Sequence, residues 1–332
     1  MSIRLEVVHG DALAYSADVL ALKFAQRLFG VDRKVVSLLE ENDIQVESRL
    51  PAVGTALLLN SAHVIAATEV LFIGVVPLGR FDYQTIREFA HSVLSTLTAE
   101  RPSLQHLAMT LHGVGFGLDE TEAFRAEIAG VLDAVAARER PPGLIRVSIV
   151  ERDAQAAKRL TALLNSILPT GIVSETQSRA DTEPPSLDTA RVSLGAVGHD
   201  SHEKPHVFVA MPFAEEYADR YHYGIEGAAT AAGYLCERAD LASFTGDVIA
   251  WVKDRIGSAS LVVADLTAAN PNVYLEVGYA WGRGVNTVLV VPQGDEPKFD
   301  LRTQRYLKFR DIRHLEELLT KELKALKAGA SG

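Results

Sequence analysis

Three carboxylates in the second half of the chain, Asp247, Asp265 and Glu276, stand beside apolar runs that read as strands or helices. Carboxylates so placed suit nucleophilic attack and acid–base work on a polarised carbon. Asn272 behind Pro271 reads as a helix N-cap, which puts Glu276 about one turn into a helix, where the positive end of the dipole favours its ionised form. An ionised carboxylate at the mouth of a sheet is a usable nucleophile. The plainer reading, a first-turn acid that only steadies its helix, stands beside it.

Asp265 directly follows the apolar run Ser260-Leu-Val-Val-Ala264, a buried strand by its length and composition. That puts it at the strand's carboxyl end, the edge of an open α/β sheet where ligands bind. It is the first choice for an acid that protonates a leaving group, with Asp247 the alternative and helix capping its competing explanation. Phe213 and Tyr279 could stack on a base or sugar; both are also ordinary core aromatics, and core is the better reading of Tyr279. Asn270 and Asn272 reach a ligand or shape the turn. Arg302 and Arg305 could hold a phosphate through their fork geometry, or face acidic neighbours on the surface.

The elements around these residues alternate. Val207–Met211, Tyr234–Arg238, Ser260–Ala264 and Thr287–Val291 read as strands, with helices expected over 221–232, 246–258, the stretch after Asn272, and 312–326. The helix over 246–258 should turn Val248, Ile249, Val252 and Ile256 inward. Strand–helix alternation implies a parallel sheet covered on both faces, with the loops 211–213, 240–247, 265–272 and 292–302 converging at its carboxyl edge.

The first half is also α/β. Strands are expected at 3–8, 19–24, 55–59, 64–67, 70–76, 106–110 and 144–150, and helices at 83–100, 120–138 and 153–168. His112-Gly-Val-Gly-Phe-Gly-Leu-Asp119 between a strand and a helix is a glycine-spaced loop of the kind that lets backbone N–H groups approach a phosphate, although glycines serve ligand-free turns as well. Residues 171–205 lose apolar periodicity and fill with Ser, Thr, Glu and Pro, which reads as a linker between domains at 1–170 and 206–328. His199, His202 and His206 have no partner at a metal-ligand spacing, so neither a metal nor another cofactor is expected.

With 332 residues, 48% of them hydrophobic, the chain can bury two cores. A net charge of −10 argues against nucleic acid or an anionic membrane as the main partner, while leaving room for a small phosphate ligand. The single cysteine, Cys236, falls in an apolar strand and reads as core. No apolar run approaches the ~20 residues of a spanning helix, and the opening residues carry no signal-peptide core, so a cytoplasmic protein is expected.

Five blocks then carry a resemblance: Val207-Phe-Val-Ala-Met-Pro-Phe213, Gly246-Asp-Val-Ile249, Ala264-Asp-Leu-Thr267, Asn270-Pro-Asn-Val-Tyr-Leu-Glu-Val-Gly-Tyr-Ala280 and Phe299-Asp-Leu-Arg302. In residues and order they resemble the nucleoside 2-deoxyribosyltransferase-like superfamily, which includes deoxynucleoside monophosphate N-glycosidases. The resemblance implies a doubly wound, flavodoxin- or Rossmann-like sheet, with Glu276 as the nucleophile that attacks the anomeric carbon of a nucleoside, nucleotide or NAD. It also implies a homo-oligomer, because members of that superfamily often complete the site from a neighbouring subunit. The first half resembles macro domains and the related N-terminal domain of leucyl aminopeptidases, with a mixed sheet, Asp11 in the adenine-contacting position and Gly113, Gly115 and Gly117 in the diphosphate loop. It departs from them at Lys23-Phe-Ala-Gln26, where macro domains carry an asparagine-rich segment. Together the two resemblances imply an N-glycosidase or base-exchange transferase, regulated through its first domain as in bacterial antiviral defence. The alternative is a non-catalytic nucleotide receptor.

Overall fold

The computed structural model describes residues 2–174, 187–238, 248–298 and 304–330. Their contacts divide into two compact units, Met1–Val114 with Glu120–His202, and Gly115–Asp119 with Glu203–Gly332.

The first unit runs β1 (Ser2–His9), β2 (Val19–Phe24), α1 (Gly30–Glu40), β3 (Ala56–Asn60), β4 (Glu69–Gly74), α2 (Tyr83–Glu100), β5 (His106–Met109), α3 (Glu120–Ala137), β6 (Arg146–Glu151), α4 (Ala154–Ile167), β7 (Ile172–Ser174) and α5 (Leu187–Leu194). Its sheet is mixed, in the order β3-β4-β2-β5-β6-β1-β7, with β3 and β7 antiparallel to their neighbours at the two edges. The central strands explain this layout. In β2 five consecutive residues from Val19 to Lys23 are buried, as a strand covered on both faces requires. One cover is α1, whose Val35, Val36 and Leu39 pack with Leu20, Leu22, Val70 and Phe72. Helices α2 and α3 lie against each other so closely that a Cβ added to Gly130 would sit 2.1 Å from the Arg87 carbonyl oxygen, so glycine is required at that crossing.

Several expectations for this half need correction. No strand forms at 64–67, where Ala62 and His63 take positive φ and the Ser61 hydroxyl donates to the Ala67 carbonyl at 2.6 Å, closing a tight loop. The stretch 171–205, expected to be a linker, contributes β7 to the sheet and α5 beside α3. Arg87 helps hold the part of it around 194–197: the guanidinium donates to the carbonyls of Leu194, Gly195 and Val197 at 3.1, 2.9 and 2.5 Å. Ala190, Leu194 and Val197 are buried beside these bonds, so a few apolar residues and one buried cation together seat α5 and the turn after it.

The Lys23–Gln26 segment is likewise structural. Lys23, almost fully buried, pairs with Asp32 of α1 at 2.9 Å, and the Gln26 amide lies 3.2–3.5 Å from three backbone carbonyls. Deep in the same unit, His112 Nδ1 lies 3.8 Å from the fully buried Glu127, and the Asp32 Oδ1, both His112 ring nitrogens and Glu127 Oε1 have no hydrogen-bond partner among the described residues.

The second unit runs β8 (His206–Ala210), a π-type helical turn (Arg220–Glu226) continuing into α6 (Gly227–Ala231), β9 (Leu235–Glu237), α7 (Val248–Ser258), β10 (Leu261–Asp265), α8 (Pro271–Gly282), β11 (Thr287–Pro292), β12 (Tyr306–Phe309) and α9 (Ile312–Ala330). All five strands are parallel, in the order β12-β11-β10-β8-β9. The order reverses between β8 and β10, the switch point at which loops part and open α/β sheets leave a crevice. Leu315, Leu319 and Leu323 of α9, spaced i, i+4, i+8, cover one face with Leu261 and Val263 of β10. Val273, Val277 and Ala280 of α8 cover the other with Val262 and Ala264. Ile249, expected to turn inward, is 63% exposed, while Val252 and Ile256 of α7 are buried; the side chain of Val248 lies outside the described residues. Strand β12 and helix α1 had no counterpart in the sequence reading. Among the described residues no helix is long and apolar enough to cross a membrane.

Burial raises the Glu127 carboxyl to about 8. Below pH ~4.5 both folded and unfolded chains hold this proton; between there and about 8 only the folded chain does, so each pH unit favours unfolding by about 1.4 kcal/mol, and above 8 the loss is complete. Glu127→Gln is therefore expected to raise the thermal midpoint at pH 8 and leave it nearly unchanged at pH 4.5, as measured by calorimetry at the two values.

Candidate functional site

The acid strand β10 is buried along its whole length, and its last residue, Asp265, is inaccessible to solvent. Strand alternation puts it on the α9 face with Leu261 and Val263. There its carboxylate takes three hydrogen bonds: from Arg220 Nη1 at 2.9 Å, and from the Thr267 backbone N–H and hydroxyl at 3.0 and 2.5 Å. Arg220 also donates to the Thr267 hydroxyl at 2.6 Å, and its guanidinium lies 4.9 Å from the Tyr217 ring centroid and 5.2 Å from that of Phe309. Every contact uses Asp265 as an acceptor. The residue expected to donate a proton to a leaving base is thus an anchor that holds Arg220 and the turn after β10.

Glu276 occupies the opposite layer. The helix begins two residues earlier than the sequence reading has it: the Asn270 side chain, not that of Asn272, is the N-cap, accepting from the Asn272 N–H at 2.9 Å, with Pro271 at the first helical position. Asn272 is exposed. Glu276 therefore lies in the second turn of α8, on the inward stripe between Val273 and Ala280, where the dipole's effect has fallen off. It is 8% exposed and has no hydrogen-bond or ion-pair partner among the described residues. Burial pushes its pKa up to about 7. The expected dipole-held carboxylate is instead a desolvated group poised between its two protonation states, the condition under which a carboxyl serves as acid, base or nucleophile near neutrality.

The remaining candidates separate. Phe213 is 38% exposed just past β8, with the Arg238 guanidinium 5.0 Å from its ring centroid. Tyr279 is half-buried, with Lys253 Nζ 5.7 Å from its ring. Arg305 makes a two-pronged ion pair with Glu322 of α9, both bonds 2.8 Å, so its fork is already occupied. Asp247 and Arg302 lie outside the described residues.

In the first unit, Asp11 borders a cleft of about 300 Å³ at the carboxyl ends of β1 and β6, which Gly10, Gly30, Lys34, Glu151 and Arg152 also line. One Asp11 oxygen accepts from the Leu13 N–H at 2.9 Å. The glycine loop is not among the residues lining that cleft: 114–116 form a short 3-10 turn, and Gly115 and Gly117 belong by contact to the second unit. There the Gly117 carbonyl accepts from the Arg238 N–H at 3.0 Å. With φ of +97° and room for no Cβ, which would lie 2.7 Å from the Trp251 ring, Gly117 is required by packing. Sequence reasoning missed Arg220 and Arg238, since no spacing ties either to the residues they touch.

No protein-family model matches the chain, and no curated protein matches it. Among solved structures it is similar, at a distance, to a CMP N-glycosidase of Clostridium botulinum, with 18% identity, coverage of 35% of this chain and 98% of that one, and a TM-score of 0.30. It is also similar to a Trypanosoma brucei macrodomain in complex with ADP, with 14% identity, 48% and 69% coverage and a TM-score of 0.40. A third likeness is to an Oceanobacillus iheyensis macrodomain with ADPR, with 14% identity, 50% and 98% coverage and a TM-score of 0.37. The chain is an α/β protein with a mixed sheet of seven strands and an all-parallel sheet of five.

Removing the partner of a buried charge costs more than the pair is worth, typically about 3 kcal/mol or more. Arg220→Ala should therefore lower the unfolding free energy by about 3 kcal/mol in urea titrations, and Arg220→Ala with Asp265→Asn should recover part of that loss.

Proposed function

We propose that the second unit cleaves the N-glycosidic bond of a nucleoside, a nucleotide or NAD, with Glu276 as the nucleophile. The observation that carries this reading is a largely buried carboxyl with no hydrogen-bond or ion-pair partner among the described residues, on the helix that follows the switch-point strand. A structural acid in that position would be expected to find a cation or a pair of N–H donors, since leaving it unpaired costs stability. The resemblance of the blocks around it to nucleoside 2-deoxyribosyltransferase-like sequences supplies the reaction. The ionised carboxylate attacks the anomeric carbon, the C–N bond breaks with its electron pair going to the base, and water hydrolyses the resulting glycosyl ester; a second base arriving in place of water gives base exchange. Asp265 acts here through position, fixing the turn between β10 and α8. Asp247 remains the candidate acid for the departing base.

A second reading, in which the protein only senses nucleotides, draws on the cleft beside Asp11 in the first unit, whose Lys34 and Arg152 suit an anionic ligand. The two readings part at Glu276, because a receptor has no use for an anomeric nucleophile.

Chromatography for free base, after incubation with CMP, dCMP, deoxynucleosides and NAD, decides between them. Glu276→Gln is expected to lower base release by at least a thousandfold while leaving the protein folded; equal rates in the variant and parent would sink the proposal. Since attack needs the ionised form and burial holds the pKa near 7, kcat/KM should rise with pH up to about 7 and level off above it.

A further inference from the structure

Two guanidinium groups in the second unit retain donors that the fold does not use. Arg238, the residue after β9, is half-buried, with its guanidinium carbon 4.0 Å from the Tyr221 ring centroid and 5.0 Å from that of Phe213. Its one side-chain hydrogen bond is to Met211 Sδ at 3.6 Å, and it makes no ion pair among the described residues. Arg220 spends only Nη1, on Asp265 and Thr267; its Nε and Nη2 have no partner among the described residues.

The π-type turn Arg220–Glu226 positions both groups, because it carries Arg220 itself and Tyr221, the ring on which Arg238 lies. Extra residues in a helical turn re-aim side chains, and such turns recur at functional sites. Met211 and Phe213 come just after β8, Arg238 just after β9 and Asp265 at the end of β10, so every group in the cluster is set at the carboxyl edge where the strand order reverses.

An arginine held within 4.0 and 5.0 Å of two ring centroids has already lost part of its rotamer freedom, so binding an anion orders less of it. In a chain of net charge −10, a half-buried cation with no ion-pair partner among the described residues is also no part of a general basic surface. Its planar fork and that of Arg220 match the oxygens of a phosphate.

We propose that Arg238 and Arg220 form a phosphate subsite, which makes the ligand of the second unit a nucleotide rather than a free nucleoside. The word substrate applies to that nucleotide only if the glycosidase reading holds; binding of phosphate does not depend on it.

Calorimetry on the Glu276→Gln protein, which consumes nothing, tests the subsite with inorganic pyrophosphate, CMP, NAD and cytidine as probes. Arg238→Gln in that background is expected to remove one pyrophosphate site per chain and to weaken CMP and NAD about tenfold or more, leaving cytidine unchanged. Arg238→Lys, which keeps the charge and loses the fork, should fall between them, and it serves as the probe if the glutamine variant does not fold. Unchanged pyrophosphate and CMP binding in both variants overturns the subsite. In the parent protein, phosphate binding that depends on Arg238 without base release from any substrate sinks the glycosidase reading and leaves the subsite standing. Base released equally well from CMP and cytidine, with no change in KM for CMP on Arg238 substitution, does the reverse.

Discussion

A carboxylate with no access to water sits at the end of the central strand of the second sheet, and the geometry around it follows from the need to satisfy that charge. Asp265 is tolerated because Arg220 reaches it and Thr267 turns both its N–H and its hydroxyl back onto it. Those bonds hold the turn after β10, where Ala268 and Ala269 take positive φ, a conformation that L residues adopt only when their surroundings enforce it. The turn in turn sets where Asn270 caps α8, and so the rotation that puts Glu276 on the helix's inward stripe. On the other side of the pair, Arg220 requires the wide helical turn that brings it between Tyr217 and Phe309. One ion pair thus ties the strand end, the capping turn and the π-type turn together.

Period-two alternation along β10 divides the chemistry between two layers. Leu261, Val263 and Asp265 face α9, while Val262 and Ala264 face α8. Two acids eleven positions apart, each beside the same strand end, invite the reading that they work as a pair. The layers show that they are supported by different means: Asp265 is saturated by donors, and Glu276 has none among the described residues. A saturated carboxylate is suited to orienting its neighbours, and an unsaturated one to changing its protonation state. Function in this unit is better sought where the fold leaves a polar group unsatisfied than where acids cluster in sequence.

The alternation of strands and helices was legible because apolar runs of strand length and stripes of helical spacing are local signals. Helices α2, α3, α4 and α9 and strands β1, β2, β8, β10 and β11 all carry them. Helix α1 escaped although its Val35, Val36 and Leu39 stripe is such a signal; the other elements that escaped are ones whose order comes from elsewhere. β7 has three residues and exists by pairing with β1; α5 is flanked by carbonyls that Arg87 binds from another helix; β12 offers four residues with only Phe309 buried. Asn270 and Asn272 are equally good caps by type, but proline is favoured at the first helical position, so Pro271 already pointed to Asn270 in the sequence. The protonation behaviour of Glu276 was misread for a different reason: dipole effects can be inferred from position in a helix, whereas desolvation depends on what the second layer packs against it.

The arginines show the same limit from the opposite direction. Arg302 and Arg305 stand close together in sequence and their forks could hold a phosphate, yet Arg305 is bound by Glu322 on α9. Arg220 and Arg238 stand alone in sequence among ordinary neighbours. What distinguishes them is the inventory of their N–H groups after the fold has taken its share, and that can be read only from coordinates. Glu322 completes the Arg305 fork, Asp265 takes one end of Arg220, and Arg238, 4.0 and 5.0 Å from the Tyr221 and Phe213 ring centroids, has no ion-pair partner among the described residues. A cation held half out of water beside aromatic rings gives up part of its hydration without gaining a counter-charge from those residues in return. An anionic ligand would supply that counter-charge, and the seat provided by the two rings means that less further ordering would oppose its binding.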